Sequence, residues 1–262
     1  MNELVVQLVP LVLVAFRLSG LFVFAPLLAN VSIPMPVKVL LCVAMAVGVF
    51  PLVKAPALPA DIDVFSLAVI AVVEVLVGVV IGLLALIPVA AVQVAGVLMG
   101  QQMGLGLAAI YNPALETESD LIGEVLIQLA MVAFLSLGGI EVLFLSVARS
   151  FEAVPIGGFS TGWAPVHHVL PMLVSGFDLA LRVAAPMLGI ILVETIATAM
   201  LMKTVPQINV MSLGFGLKIL LGLSALILSV RIMDSAIMDH ISQAGRELLW
   251  SSGRVATPAG GH

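Results

Sequence analysis

The chain has 262 residues, 62% of them hydrophobic and only 10% charged, and a mean hydropathy of +1.27. Soluble domains carry roughly 25% charged residues, so a water-covered globule is excluded: lipid, or a partner's apolar wall, has to cover the remainder. Ten Lys+Arg against fifteen Asp+Glu give a formal net charge of −5 with no basic patch, which argues against nucleic acid as a partner.

The N-terminal run opens on Asn2 and Glu3 rather than on Lys or Arg and stays apolar to about Ala29. That is too long for the apolar part of a secretory signal, so the segment is expected to be retained. A helix crosses the hydrocarbon core with about 20 apolar residues. Six runs qualify as helices, near Leu4–Ala29, Val37–Val53, Val64–Ala95, Leu121–Ala148, Leu170–Met202 and Val210–Met233. Ile33-Pro34-Met35-Pro36, Pro51 to Pro59, Asn112-Pro113, Pro155 to Pro165 and Pro206 punctuate them. The third and fifth runs are too long for one upright span and the second is short. They must tilt, leave the bilayer or sit inside protein. With six spans the termini share a side that carries Lys54, Arg149, Arg231, Arg246 and Arg254, against Lys38 and Lys203 opposite. This bias favours cytoplasmic termini. Residues 251–262 read as a disordered tail.

Charges interrupt the apolar runs at Arg17, Glu74, Glu141, Asp178, Arg182, Glu194 and Lys218. Each costs about 2.5–3.5 kcal/mol at a bilayer centre, so each should face protein or water. They form either an ion pathway or buried structural pairs, and spacing supports pairs. Asp178 and Arg182 are four apart, so one helix can pair them. Glu194 lies twelve residues before Pro206 and Lys218 twelve after. A chain that turns back at Pro206, Gln207 and Asn209 therefore brings both about 18 Å from the turn, level with one another. The same geometry brings Asp178 and Arg182 near Arg231 and Asp234.

Two glycine series fall on single helix faces: Glu74, Gly78, Gly82 and Gly96, Gly100, Gly104. Such faces let backbones approach closely in membranes, so Glu74 is expected to point at a neighbouring helix. Next comes Met99-Gly-Gln-Gln-Met103-Gly104-Leu105-Gly106-Leu107-Ala108-Ala109-Ile110-Tyr111-Asn112-Pro113, apolar and glycine-weakened, followed by Glu116, Glu118, Asp120 and Glu124 without a base among them. Flexible Met and aliphatic side chains can close a pore by excluding water and still deform around cargo. A re-entrant connector buried against its neighbours fits the spacing equally well.

No catalytic or nucleotide motif is present: neither G-x-S-x-G, H-E-x-x-H nor G-x-x-x-x-G-K-[ST] occurs. His167 and His168 are adjacent, so on a helix they diverge by about 100° and share no metal face. The lone Cys42 excludes an intrachain disulfide and reads as a small buried hydrophobe. Neither enzyme activity, cofactor nor metal is expected.

Several motifs converge on one family. The run from Gly100 to Pro113 resembles the central motif of the FliR family, the R subunit of the flagellar type III export gate, which is similar to the T subunit (SctT) of virulence type III secretion. Arg17 to Pro26, Ile33-Pro34 to Lys38, Pro51 and Glu74-Val-Leu-Val-Gly78 resemble its earlier pattern. Val205-Pro206-Gln207-Ile208-Asn209-Val210, then Gly214-Phe215 and Lys218, resembles its last turn. From about Leu170 the chain is also similar to the two-helix Q subunit of the same gate.

The resemblance implies an all-α membrane protein of about six long hydrophobic helices in hairpins. A P-like part over 1–168 would carry a plug loop near 104–120, and a Q-like helical hairpin would follow over 169–250. It implies one R copy joined to P and Q subunits, with the B subunit of the apparatus nearby. The assembly would form the entrance pore for unfolded flagellar proteins in the bacterial inner membrane, at the flagellar basal body. Met99, Met103, Gly104, Leu105, Gly106, Leu107, Ala108, Ile110, Tyr111, Asn112 and Pro113 would form the plug. Arg17, Glu74, Asp178, Arg182, Glu194, Lys218, Arg231 and Asp234 would be buried structural charges. Where relatives often carry plug aromatics this chain has Leu107 and Ile110, and Asn112 stands for a frequent Asp, Lys203 for a frequent Arg and Gly216 for a frequent Pro. The rival reading is a secondary transporter that uses the buried charges at a site formed by broken helices.

Overall fold

The structure is a computed structural model that describes residues 3–53, 63–105, 121–157, 166–204 and 214–231. The described residues form helices and no strand. They are α1 (Glu3–Phe24), α2 (Met35–Val49) with a 3-10 turn at Phe50–Leu52, α3 (Val64–Gln102), α4 (Leu121–Ser136), α5 (Gly139–Ala153), α6 (Val166–Thr204) and α7, described over Gly214–Arg231. Each expected apolar run is helical over most of its described residues, and the chain is an all-α membrane protein. Met35–Leu52, Val64–Gln102, Val169–Thr204 and Gly214–Arg231 are long and apolar enough to cross a membrane, with Leu8–Phe24 shorter.

The fourth run, expected as one helix over Leu121–Ala148, is two helices. It breaks at Leu137-Gly138, where Gly138 takes a φ of 74°. An L side chain is disfavoured there, and glycine is free to take it. The Gly138 N–H donates to the Leu135 carbonyl at 3.1 Å, and its own carbonyl accepts from Val142 at 3.0 Å, closing α4 and opening α5. The third run continues past Ala95 through Gly96 and Gly100 to Gln102. At 39 residues, α3 is about 58 Å long at 1.5 Å per residue, roughly twice a hydrocarbon core. Pro88 lies inside it, as membrane helices tolerate when neighbours re-satisfy the freed carbonyl.

The described residues divide into two compact units, 3–53, 63–87, 135–157 and 166–173 in one, and 88–105, 121–134, 174–204 and 214–231 in the other. In the first unit α1 packs on α3 with backbone against backbone. A methyl group on Gly78 would meet the Arg17 carbonyl oxygen and stand 3.0 Å from the Leu21 nitrogen. One on Gly82 would stand 2.8 Å from the Leu21 carbonyl oxygen, and one on Gly20 would meet the Val75 carbonyl oxygen. The close approach expected of the Glu74–Gly78–Gly82 face is therefore present, and α1 answers it with Gly20. Around this seam Leu13, Val14, Leu18, Leu21, Val77 and Ile81 are buried. A smaller cluster joins Leu84 and Ile87 of α3 to Met172 of α6. In contrast, α2 turns Val39, Leu40, Val43 and Val47 outward. It is held to α1 by few polar contacts, among them the Cys42 thiol to the Ala15 carbonyl at 3.4 Å.

In the second unit α3 meets α4 at Gly96, where a methyl group would fall on the Cα of Gly123. Met99, Met103, Leu126, Leu179 and Met187 fill the core. Gly214 of α7 lies against Thr198 of α6, at 3.5 Å from a Cβ placed on the glycine.

Candidate functional site

Arg17 and Glu74 are 57 residues apart and belong to apolar helices. They meet because the glycine seam brings α1 and α3 into backbone contact at their own level. The Arg17 Nε–H donates to Glu74 Oε2 at 2.6 Å, with the side chains 0% and 1% exposed. Nη1 donates to Ser150 Oγ and Nη2 to the Val154 carbonyl, both at 2.9 Å. The guanidinium also lies over the Phe151 ring, 3.8 Å from its centroid. Glu74 Oε1 accepts from the Gly157 N–H at 3.3 Å. The fork geometry of arginine serves three acceptors from two further elements at once. The result is a neutral knot joining α1, α3, α5 and the chain leaving α5. Its partners Ser150, Phe151, Val154 and Gly157 carry no mark in the sequence, since two are backbone groups and all lie far along the chain.

Asp178 and Arg182 pair within α6 at 2.7 Å, but they are 54% and 68% exposed in this chain, not buried. The buried face of α6 is Leu179, Val183, Ala184, Met187 and Ile191, and positions 178 and 182 fall outside that stripe. Glu194 is 3% exposed, yet Lys218 is not its partner. Across from α6 it is Gly214 that lies near both Thr198 and the Glu194 carboxylate, its Cβ position 3.5 Å from Thr198 Cγ2 and 3.9 Å from Glu194 Oε1. Glu194 Oε1 instead accepts from the Thr198 hydroxyl at 2.7 Å, and Oε2 lies 3.4 Å from Thr195 Oγ. A hydroxyl one turn along the same helix satisfies the carboxylate without ordering a long lysine stem. No ion pair joins Asp178 or Arg182 to Arg231 among the described residues, and Arg231 is exposed. Asp234 and the turn residues Pro206, Gln207 and Asn209 lie outside the described residues.

Of the sequence's plug candidates, Met99, Met103, Gly104 and Leu105 are described, while Gly106, Leu107, Ala108, Ile110, Tyr111, Asn112 and Pro113 lie outside the described residues. Met99 and Met103 are core side chains of the second unit, 0% and 2% exposed, and do not face open space in this chain. Met103 lies against Gly222 of α7, so its apolar surface is already covered. Immediately after them α3 stops. Gly104 takes a φ of 78°, its N–H donates to Gln101 at 3.0 Å, and the Leu105 N–H donates to Gly100 at 3.2 Å. These two bonds with a left-handed glycine form a Schellman cap. Gly104→Ala is expected to weaken this helix end by about 1 kcal/mol, the cost of a left-handed non-glycine residue. Faster amide exchange at Leu105 is the check, and unchanged exchange would contradict it.

Among the described residues no three His, Cys, Asp or Glu side chains gather where a metal could sit. The arrangement gives two buried, hydrogen-bonded charge clusters, at Arg17–Glu74 and at Glu194, and one capped helix end. Nothing in it resembles a nucleophile with its base.

The family model for bacterial export proteins, family 1, matches residues 8–244. The chain is 28% identical over 235 residues to flagellar biosynthetic protein FliR of Aquifex aeolicus, covering 89% of this chain and 90% of that one. It is 30% identical over 216 residues to FliR of Escherichia coli, 79% of each. It is 27% identical over 188 residues to Yop proteins translocation protein T of Yersinia pestis, 70% of each. A match that runs through both compact units, from α1 to beyond α7, means that the chain belongs to this family of bacterial export proteins.

Proposed function

We propose that this chain is the R-type subunit of a flagellar export gate, and that its 104–120 segment plugs the entrance pore for unfolded export substrates. The observation that carries the reading is the match over 8–244 together with relatives named as flagellar biosynthetic proteins over nine-tenths of their length. Physical features support it. Two 39-residue helices exceed a bilayer. Large apolar side chains stand exposed on α2, α6 and α7, surface that lipid alone covers poorly where an exposed ion pair interrupts it, as at Asp178–Arg182.

Residues 1–168 act as the P-like part, 169–250 as the Q-like hairpin and 251–262 as a tail. The partners are P and Q subunits, the B subunit and unfolded flagellar proteins, in the bacterial inner membrane at the basal body. The transporter reading is the weaker one. Arg17 and Glu74 are buried and bonded to one another and to protein, and a solute site needs donors and acceptors that a solute can reach.

Replacing Leu107 and Ile110 together with Gly tests the plug. The assembled gate carrying this variant should leak ions across the membrane, because the apolar constriction that excludes water is gone. Unchanged conductance in an assembly verified by co-purification would refute the plug.

A further inference from the structure

The position of Gly222 singles it out from the other helix-packing glycines. A methyl group on Gly20, Gly78, Gly82 or Gly96 would meet backbone atoms. On Gly222 the three nearest atoms all belong to the Met103 side chain, at 2.7 Å for Cγ and 2.8 Å for both Sδ and Cε. Met103 is the last residue before the left-handed Gly104 and is 2% exposed. Its whole side chain thus lies in a notch that the missing Cβ of Gly222 leaves in α7. The contact anchors the end of α3 to α7.

We propose that Gly222 and Met103 are positioning residues for the pore-closing segment: the notch in α7 seats Met103 and so sets where and in what direction the chain leaves α3. The inference rests on the plug reading of the 104–120 segment. Two features make the contact suited to this task. Methionine is unbranched and fills a shallow notch closely. The Schellman cap beside it converts a fixed Met103 into a fixed exit direction, because both cap hydrogen bonds run back into the last turn of α3.

Gly222→Ala is the test, because a flexible side chain yields to the new methyl group while the helices keep their backbone contacts. The purified full chain is treated with hydrogen peroxide and methionine sulfoxide is read by mass spectrometry, with Met200, 70% exposed, as internal reference. In the parent chain Met103 should oxidise about tenfold more slowly than Met200, and in Gly222→Ala within about threefold of it, since oxidation follows exposure. The assembled gate with Gly222→Ala should leak ions at about half or more of the level of the Leu107→Gly/Ile110→Gly variant. Unchanged protection of Met103 overturns the proposal. So does an exposed Met103 without a leak, when the Leu107→Gly/Ile110→Gly gate does leak; in that case the plug reading stands. If neither variant leaks, the plug reading falls and this inference with it.

A reversible variant removes any question of folding. Met103 Cγ lies 2.7 Å from the Cβ position of residue 222, so the two Cβ atoms are no more than about 4 Å apart, close enough for a disulfide to be built. In a Cys42→Ser background, Met103→Cys/Gly222→Cys should leak when reduced and seal when oxidised. The same leak in both states overturns the proposal.

Discussion

Arg17→Ala is expected to destabilise the chain by about 3–5 kcal/mol, the range for removing one partner of a buried ion pair. Truncation leaves Glu74 at 1% exposure without its guanidinium partner, and among the described residues the Gly157 N–H at 3.3 Å is the bond that remains to it. It also strips the Val154 carbonyl of its side-chain donor and Ser150 Oγ of the proton it accepts, while Ser150 keeps its own bond to Val147. Arg17→Lys should recover little. A lysine ammonium is a point charge and cannot span Glu74, Ser150 and Val154 in the plane the guanidinium occupies. Arg17→Met/Glu74→Met, in contrast, should regain most of the loss, because replacing both charges by apolar groups removes the desolvation along with the attraction. Thermal unfolding of the purified chain in one mild detergent orders the four proteins. If Arg17→Ala melts with the parent, the knot does not hold the first unit together.

Gly78→Ala should cost about 3 kcal/mol, at the upper end of what overpacking does. The reason for the upper end is the nature of the obstruction: the Arg17 carbonyl oxygen and the Leu21 nitrogen are backbone and have no rotamer to change. The helices α1 and α3 must part, and parting them lengthens the Arg17–Glu74 bond at the same level. The two lesions are coupled, so Gly78→Ala combined with Arg17→Ala should cost less than the sum of the two. Gly189→Ala is the internal contrast. Nothing lies within 4 Å of its Cβ position, and an alanine there should stabilise α6 in the isolated chain by about 0.5–1 kcal/mol through helix propensity. Equal melting temperatures for Gly78→Ala and the parent would contradict the backbone seam.

Much of the site chemistry was readable as demand rather than as supply. An arginine and a glutamate inside apolar helices demand protein company, and a glutamate four residues before Gly78 demands that the company be a close helix. Neither statement names the partner. Arg17 and Glu74 could not be paired from the chain, because nothing in a 57-residue separation sets their relative height. The hairpin argument set heights for Glu194 and Lys218, and Thr198 of α6 does lie against Gly214 of α7. It still misassigned Glu194, since level placement brings two groups near without deciding which hydrogen bond is cheapest to make. Thr198 was a local competitor four residues away.

Composition and periodicity by themselves determined that this is a helical membrane protein, which runs are helical in the main, and that the Glu74–Gly78–Gly82 face admits another backbone. These are properties of a segment and its solvent, so the segment contains the answer. Tertiary structure alone decided that α1 meets α3 in register to join Arg17 to Glu74, that Met99 and Met103 are core side chains, and that Gly222 receives Met103. Each depends on which surface arrives opposite, at what height and at what distance. That is settled by steric fit between elements far apart in the chain, and no residue carries it alone.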